Sequence, residues 1–326
     1  MVLESNVFTL ESPATNRNSP KVSIGMPVYN GEKFIRQALD SLLDQTFTDF
    51  ELVISDNAST DETRQICLEY AAIDRRIRYC PNEVELEANA NFNRVLELAN
   101  GRYFMWAAHD DGWESSFVAC LVQALDENPQ AALAFCRFIN IDEDSRLIRT
   151  FEMDWADVFS RSKFWQFAHM ALSDEAKTQK ANHIYGLMRR EALLEIGGMI
   201  SVPGADYCGE DILTLLRLLA RWEFVIVDQV LFHYRVRSLV VHQDEPAMCY
   251  LWQRLTQRKP GHRGNLLLFL VRNHAYYSNM RKLIASETSL TLCERFLLWL
   301  TITLKEAWKP IRVIPISVLR ELRVLR

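Results

Sequence analysis

The sequence predicts an α/β fold, a mostly parallel sheet flanked by helices, with a helical C-terminal extension. Two observations carry this. Strand-like and helix-like segments alternate four times in the roughly ninety residues from Lys21 to Trp113, the pattern of βαβ units feeding a parallel sheet. From about Met248 the pattern changes to apolar clusters interleaved with Lys and Arg. The organisation read from this is a polar lead-in over 1–20, an α/β domain over 21–245 and a basic helical region over 246–326.

The elements follow in order. "KVSIGMPVYN" is a short apolar run closed by Asn30-Gly31, a strand ending in a turn. In "GEKFIRQALDSLLDQ", Phe34, Ile35, Ala38, Leu39, Leu42 and Leu43 recur at helical spacing. "FELVISD" is a second buried strand. Ser59 followed by Glu62 is a capping-box pattern and opens a helix from about Thr60 to Ala72. "RIRYC" is a third strand, "EANANFNRVLELAN" a helix stopped by Gly101, and "RYFMWAA" a fourth strand with "HDDGW" at its end. "ESSFVACLVQALDENP" reads as a helix and "AALAFCRFIN" as a strand. Residues 142–180 show no clear period. "HIYGLMRREALLEIGG" reads as a strand and a short helix. "DYCGEDILTLLRLLARW" puts Glu210 and Asp211 at a helix start, where negative charge is favoured. "FVIVDQVLFHYRVR" is one long strand or a pair.

Composition bounds the function. Of the 326 residues, 49% are hydrophobic and 24% charged, the balance of a globular chain with a substantial core. A net charge of -5 argues against nucleic acid as a partner. That mean hides a split. Residues 251–326 hold 14 Lys+Arg against 4 Asp+Glu, so the C-terminal region would meet something anionic, and a membrane surface is the favoured partner. A helical subdomain packed on the sheet is the other reading. Cys67, Cys80, Cys120, Cys136, Cys208, Cys249 and Cys293 are scattered singly, which fits buried reduced thiols. The start lacks a signal-peptide pattern, and no run is long enough to span a bilayer. A cytoplasmic location, peripheral on the inner face of the membrane, is expected, and the sequon at Asn57 is a chance match.

In a parallel sheet, ligands bind beyond the C-terminal strand ends. Those ends carry Tyr29-Asn30, Asp56 and Asp110-Asp111, so three polar clusters should converge on one edge. Two adjacent carboxylates repel unless a cation or strong donors lie between them. A solvated turn is the simpler account of the pair taken alone.

"SIGMPVYNGEKFIRQALDSLLDQTF", "ELVISDNASTDET", "NFNRVLELANGRYFMWAAHDD", "GLMRR" and "GEDILTLLRL", in this order and spacing, resemble glycosyltransferase family 2. The resemblance covers roughly residues 21–240. It implies the GT-A fold, a Rossmann-like sheet, and inverting transfer from a nucleotide-sugar donor. By that resemblance Pro27, Val28 and Tyr29 wall the nucleotide base, with Asn30 and Glu32 nearby, and Asp56 hydrogen-bonds the base. Asp110 and Asp111 match the acidic motif, one holding the ribose and the other Mn2+ or Mg2+ on the diphosphate. Asp211 matches the catalytic base, with Glu210 steadying it or binding acceptor, and Arg235 matches a position on a loop over the diphosphate. His242 is a candidate third metal ligand, although a surface histidine is the simpler reading. The motif departs from the family at Ala108, where an aspartate is common. Two carboxylates still suit a hard cation whose shell phosphate and water complete.

The expected activity is glycosyl transfer to an acceptor hydroxyl in polysaccharide or glycoconjugate synthesis. A UDP-sugar is the first choice of donor, and a saccharide or lipid-linked saccharide the acceptor. A non-catalytic nucleotide-sugar-binding protein is one alternative. A sugar-nucleotidyltransferase is another, disfavoured because "PVYNGEKF" lacks a glycine-rich, basic triphosphate loop.

Overall fold

The computed structural model describes residues 19–151, 155–173, 175–200, 209–237, 262–287 and 290–313. Nine described strands join in one sheet. Its parallel half comes directly from the alternation: β1 (Val22–Val28) lies between β2 (Phe50–Asp56) and β4 (Tyr103–Trp106), with β3 (Ile77–Pro81) outside β2. Every residue of β1 and β2 is buried, as a strand covered on both faces must be.

The crossover helices are α1 (Ile35–Leu43), α2 (Thr63–Ile73) and α3 (Ala88–Leu98). Ile35, Ala38, Leu39 and Leu42 of α1 are buried, the stripe that the spacing marked. Helix α2 starts three residues later than the capping box implies. The Ser59 hydroxyl is taken up across the sheet edge, where it accepts the Asn30 N–H at 2.9 Å, and Glu32 accepts the Glu62 N–H at 2.9 Å. The start of α2 is therefore satisfied by the loop after β1, together with Asp61, which accepts the Thr63 N–H.

Beyond β4 the sheet changes character. A two-residue strand, β5 (Gly112–Trp113), leads to α4 (Phe117–Glu127) and β6 (Ala131–Ile141), which hairpins back as β7 (Leu147–Thr150). The stretch without a readable period folds as β7 and as α5 (Trp155–Ser160), α6 (Lys163–Leu172) and α7 (Glu175–Thr178). A 3-10 turn, Lys180–Tyr185, enters β8 (Leu187–Arg189), which pairs antiparallel with both β4 and β6 and joins the two halves. After α8 (Arg190–Glu195) and α9 (Glu210–Arg221), β9 (Glu223–Arg235) runs as one long strand parallel to β6. Its far edge pairs with β5.

The two C-terminal helices, α10 (His262–Ser286) and α11 (Leu292–Val313), pack on this body. Tyr277, Met280 and Ile284 of α10, with Leu298 and Ile302 of α11, are buried in the same core as Leu213, Leu216 and Leu219 of α9. Among the described residues no helix is long and apolar enough to cross a membrane.

The cysteines divide. Cys67 and Cys136 are buried, and desolvation pushes both thiols up to about 12. Cys80 and Cys120 are half-buried, and Cys293 departs from the expectation by standing exposed on α11. Cys208 and Cys249 lie outside the described residues. Asn57 is buried with its amide donating to the Leu86 carbonyl, which removes it as a sequon.

Candidate active site

The three polar clusters meet at the C-terminal edge of the parallel half. The Asn57 N–H donates to the Val28 carbonyl, and Ala107 N–H to the Gly25 carbonyl, so the ends of β1, β2 and β4 are laced together. The loops after β1 and β2 form one platform. Asn30, at φ +50°, accepts the Thr60 N–H through its side chain, and the Gly31 N–H donates to Thr63 Oγ1 at 2.7 Å. Gly31 is required there, because a Cβ would stand 2.7 Å from the His109 ring. Of the residues expected to wall a base, Tyr29 is exposed while Pro27 and Val28 are buried in β1. Asn30 and Glu32 are exposed but already bonded to the β2 loop. Asp56 is buried, accepting the Ser59 N–H and, at 2.6 Å, the Tyr79 hydroxyl.

The acidic pair sits between β4 and β5. Register does the positioning: Gly112 pairs with His233, so Asp111 lies beside the end of β9 and accepts the Arg235 N–H through Oδ1 at 2.8 Å. Its Oδ2 is buried with no hydrogen-bond partner. Burial, then the neighbouring Asp110 charge, pushes the Asp111 carboxyl well above the usual range. The Asp110 carboxylate pairs with Arg237 at 2.8 Å. His109, half-buried next to the pair in sequence, is held below its ordinary pKa by desolvation.

Arg235 differs from the position expected of it. It closes β9 instead of lying on a loop, and its guanidinium is committed to the protein. Nε donates to the Asp110 carbonyl, Nη1 to the Asp142 and Glu143 carbonyls and Ser145 Oγ, and Nη2 to Gln37 Oε1. The group also lies over the Phe34 ring. Its work in this structure is to clamp the acidic loop to α1 and to the β6–β7 turn. Arg237, two residues on, is half-exposed and faces the Asp110 carboxylate.

Glu210 and Asp211 begin α9, Glu210 buried and Asp211 half-buried. Gly209 precedes them at φ +81°, and a Cβ there would strike the Tyr276 ring of α10 at 2.7 Å. Asp211 Oδ1 accepts the Ile212 N–H, and burial raises its carboxyl above the ordinary value. Tyr185 and Tyr234 lie in the fields of both this helix start and the acidic pair. Both phenols are raised first by burial and then by the charges of Asp111, Asp110 and Asp211, Tyr234 to about 12. The charges of the acidic pair and of the start of α9 therefore act on the same two phenols.

A family model described as glycosyl transferase family 2 matches residues 23–197, more than half of the chain. The chain belongs to that family. Chondroitin synthase of Escherichia coli is 32% identical over 150 residues, 46% of this chain and 21% of the relative. The chain spans less than half the length of the first curated relatives it matches. Among solved structures, S. aureus TarS 1-349 in complex with UDP superposes with a TM-score of 0.60 at 16% identity, covering 87% of this chain and 70% of that one. A mannosyltransferase of Pyrobaculum calidifontis in complex with GDP-Man and Mn2+ gives 0.50 at 18%, covering 91% and 83%. At these identities the likeness is one of fold, the GT-A arrangement.

For a family 2 member the fit to a divalent cation can be judged from the donors. Among the described residues no three His, Cys, Asp or Glu side chains converge as a metal cluster. His242 lies outside the described residues. The remaining donors are two carboxylates, one with a buried, unbonded oxygen, and that set suits Mg2+ or Mn2+ completed by phosphate and water. Sequence reasoning missed Tyr185, Tyr234 and Arg237. "HYRVR" holds the last two on either side of Arg235. Nothing local marks Tyr185, which reaches the site only because β8 is inserted between β4 and β6.

Proposed function

We propose that this family 2 protein transfers a sugar from a nucleoside diphosphate sugar to an acceptor hydroxyl with inversion, in polysaccharide or glycoconjugate synthesis. The observation that carries the reading is Asp111: a buried carboxylate with one unbonded oxygen, beside Asp110 and in the same electrostatic neighbourhood as Asp211. A UDP-sugar is the preferred donor, supported by the fold shared with the UDP complex of TarS. Polysaccharide synthesis is supported by the similarity to chondroitin synthase.

Tyr29, exposed at the end of β1, offers its ring to the base. Asp56, Asn30 and Glu32 build the platform beneath it, and each Asp56 oxygen, accepting one bond in this structure, keeps a lone pair for a base N–H. Asp110 and Asp111 would hold Mn2+ or Mg2+, which when bound neutralises charge on the leaving diphosphate. Arg237 leaves Asp110 to meet the diphosphate, the part that the family resemblance gives to Arg235. Asp211 removes the acceptor proton: the Ile212 N–H fixes one oxygen, and burial makes the carboxylate a stronger base than one in water. Glu210, beside it, positions the acceptor.

Thermal-shift measurements with UDP-, GDP-, dTDP- and CMP-sugars, each with Mn2+, Mg2+ or EDTA, test this. A ligand bound only by the native state raises the melting temperature. A rise with one nucleotide class that disappears in EDTA is expected. No rise with any donor at millimolar concentration and with metal present would overturn the donor reading.

A further inference from the structure

Helix α11 has two apolar faces, and one of them is exposed. Leu298 and Ile302 are buried against the body. On the opposite side Leu292, Phe296, Leu300 and Leu304 form a row at a spacing of four, flanked by Leu297 and Trp299. Leu292 is 77% exposed and Phe296 64%. At 3.6 residues per turn the remaining positions on that side are Cys293, Thr303 and Ala307, so no charged residue interrupts it. The charged side chains described on the helix, all at or before Glu306, are used elsewhere. Lys305 donates to the Leu172 carbonyl, Glu306 pairs with Arg281, Arg295 donates to the Ala285 carbonyl, and Glu294 caps the helix through Thr291. Six large apolar side chains on one exposed helix face exceed the scattered apolar exposure of a soluble surface.

We propose that this face of α11 docks on an anionic bilayer surface. Charge selects that occupant. Beyond Glu306 the sequence holds Lys309, Arg312, Arg320, Arg323 and Arg326 against Glu321 alone, so a basic run follows the apolar residues in sequence. An apolar helix face with Trp, Leu and adjoining Lys/Arg lies in the headgroup region of anionic membranes. The helix lies on the bilayer and does not span it. Helix α10 links the face to the catalytic edge, because its Tyr276 packs on Gly209 beside Glu210 and Asp211. The docking stands independently of the donor chemistry.

Co-sedimentation of the full chain with phosphatidylcholine vesicles, with and without phosphatidylglycerol, tests the proposal. Recovery should require the anionic lipid and fall as salt rises. The pair Phe296→Asp and Leu300→Asp should lower it about tenfold or more with an unchanged melting temperature, since both sites are exposed. Equal recovery of wild type and variant would overturn the proposal. So would a wild type that ignores both vesicles yet sediments as a dimer that the variant converts to monomer, which would make a second copy the occupant.

Discussion

Replacing His183 with Phe should flatten the acid dependence of stability between pH 6.5 and 5. His183 sits in the 3-10 turn that carries Tyr185 into the site, 1% exposed. Its ring packs 4.1 Å from Phe135 and 4.3 Å from Trp155 between centroids, and Nε2 has no hydrogen-bond partner. Burial, reinforced by His169 and Lys180, holds its pKa down at about 3, against an ordinary value of 6.5. The folded imidazole therefore stays neutral where the unfolded one takes a proton. Its contribution is complete above pH 6.5 and is lost as pH falls from there toward 3. At about 1.4 kcal/mol per pH unit, the loss between pH 6.5 and 5 is about 2 kcal/mol, a large share of a typical stability of 5–15 kcal/mol. Urea unfolding of wild type and His183→Phe at pH 7, 6 and 5 reads this directly. Other titrating groups cancel in the difference, and the phenyl ring adds a pH-independent packing cost of about 1 kcal/mol. The stability of wild type minus that of the variant should fall by about 2 kcal/mol across that range, changing sign on the way. A gap that stays constant would refute the claim that His183 is held neutral.

Gly31→Ala should cost about 1–3 kcal/mol, because the new Cβ meets the His109 ring at 2.7 Å and Val28 Cγ2 at 2.8 Å; urea midpoints check it. Arg235→Met strips donors from the Asp110, Asp142 and Glu143 carbonyls at once and should destabilise by about 3 kcal/mol or more, read as a lower melting temperature. Asp211→Asn should retain the donor-induced thermal shift but lower transfer by about 10²–10⁴-fold. Because burial raises the Asp211 carboxyl, the wild-type rate should fall off on the acid side at a higher pH than an ordinary carboxylate would give, and the residual rate of the variant should lack that limb. Asp110→Ala with Asp111→Ala should abolish EDTA-sensitive binding of nucleoside diphosphate, measured by calorimetry.

What could be read in the sequence was what is local. The strands β1 to β4 announce themselves as apolar runs closed by turn residues, and the start of α9 by a glycine and two acids. The convergence of Asp56 with the acidic pair followed from topology, because parallel strands put their C-terminal ends on one edge. What escaped depends on partners far along the chain. The capping box at Ser59 is a correct local pattern, overruled by Asn30, twenty-nine residues earlier. Arg235 has the spacing of a ligand-facing arginine, yet Gln37, 198 residues away, shares its guanidinium with three backbone carbonyls and a serine hydroxyl. Strand β5 has two residues and exists only because β9 extends far enough to pair with it, although that pairing sets Asp111.

Helix α11 shows the same boundary from the other side. A sequence that is apolar around most of a helix cannot say which face the body will cover. Only the placement of α11 against α6 and α10 separates Leu298 and Ile302, which stabilise the fold, from Phe296 and Leu300, which do not. Large apolar groups that add nothing to folding impose a cost in solubility, which a chain avoids by burying them or by using them. The packing has already consumed the first choice on the inner face. The outer face is left with the second, and the basic run that follows it in sequence makes an anionic surface the partner best matched to its charge.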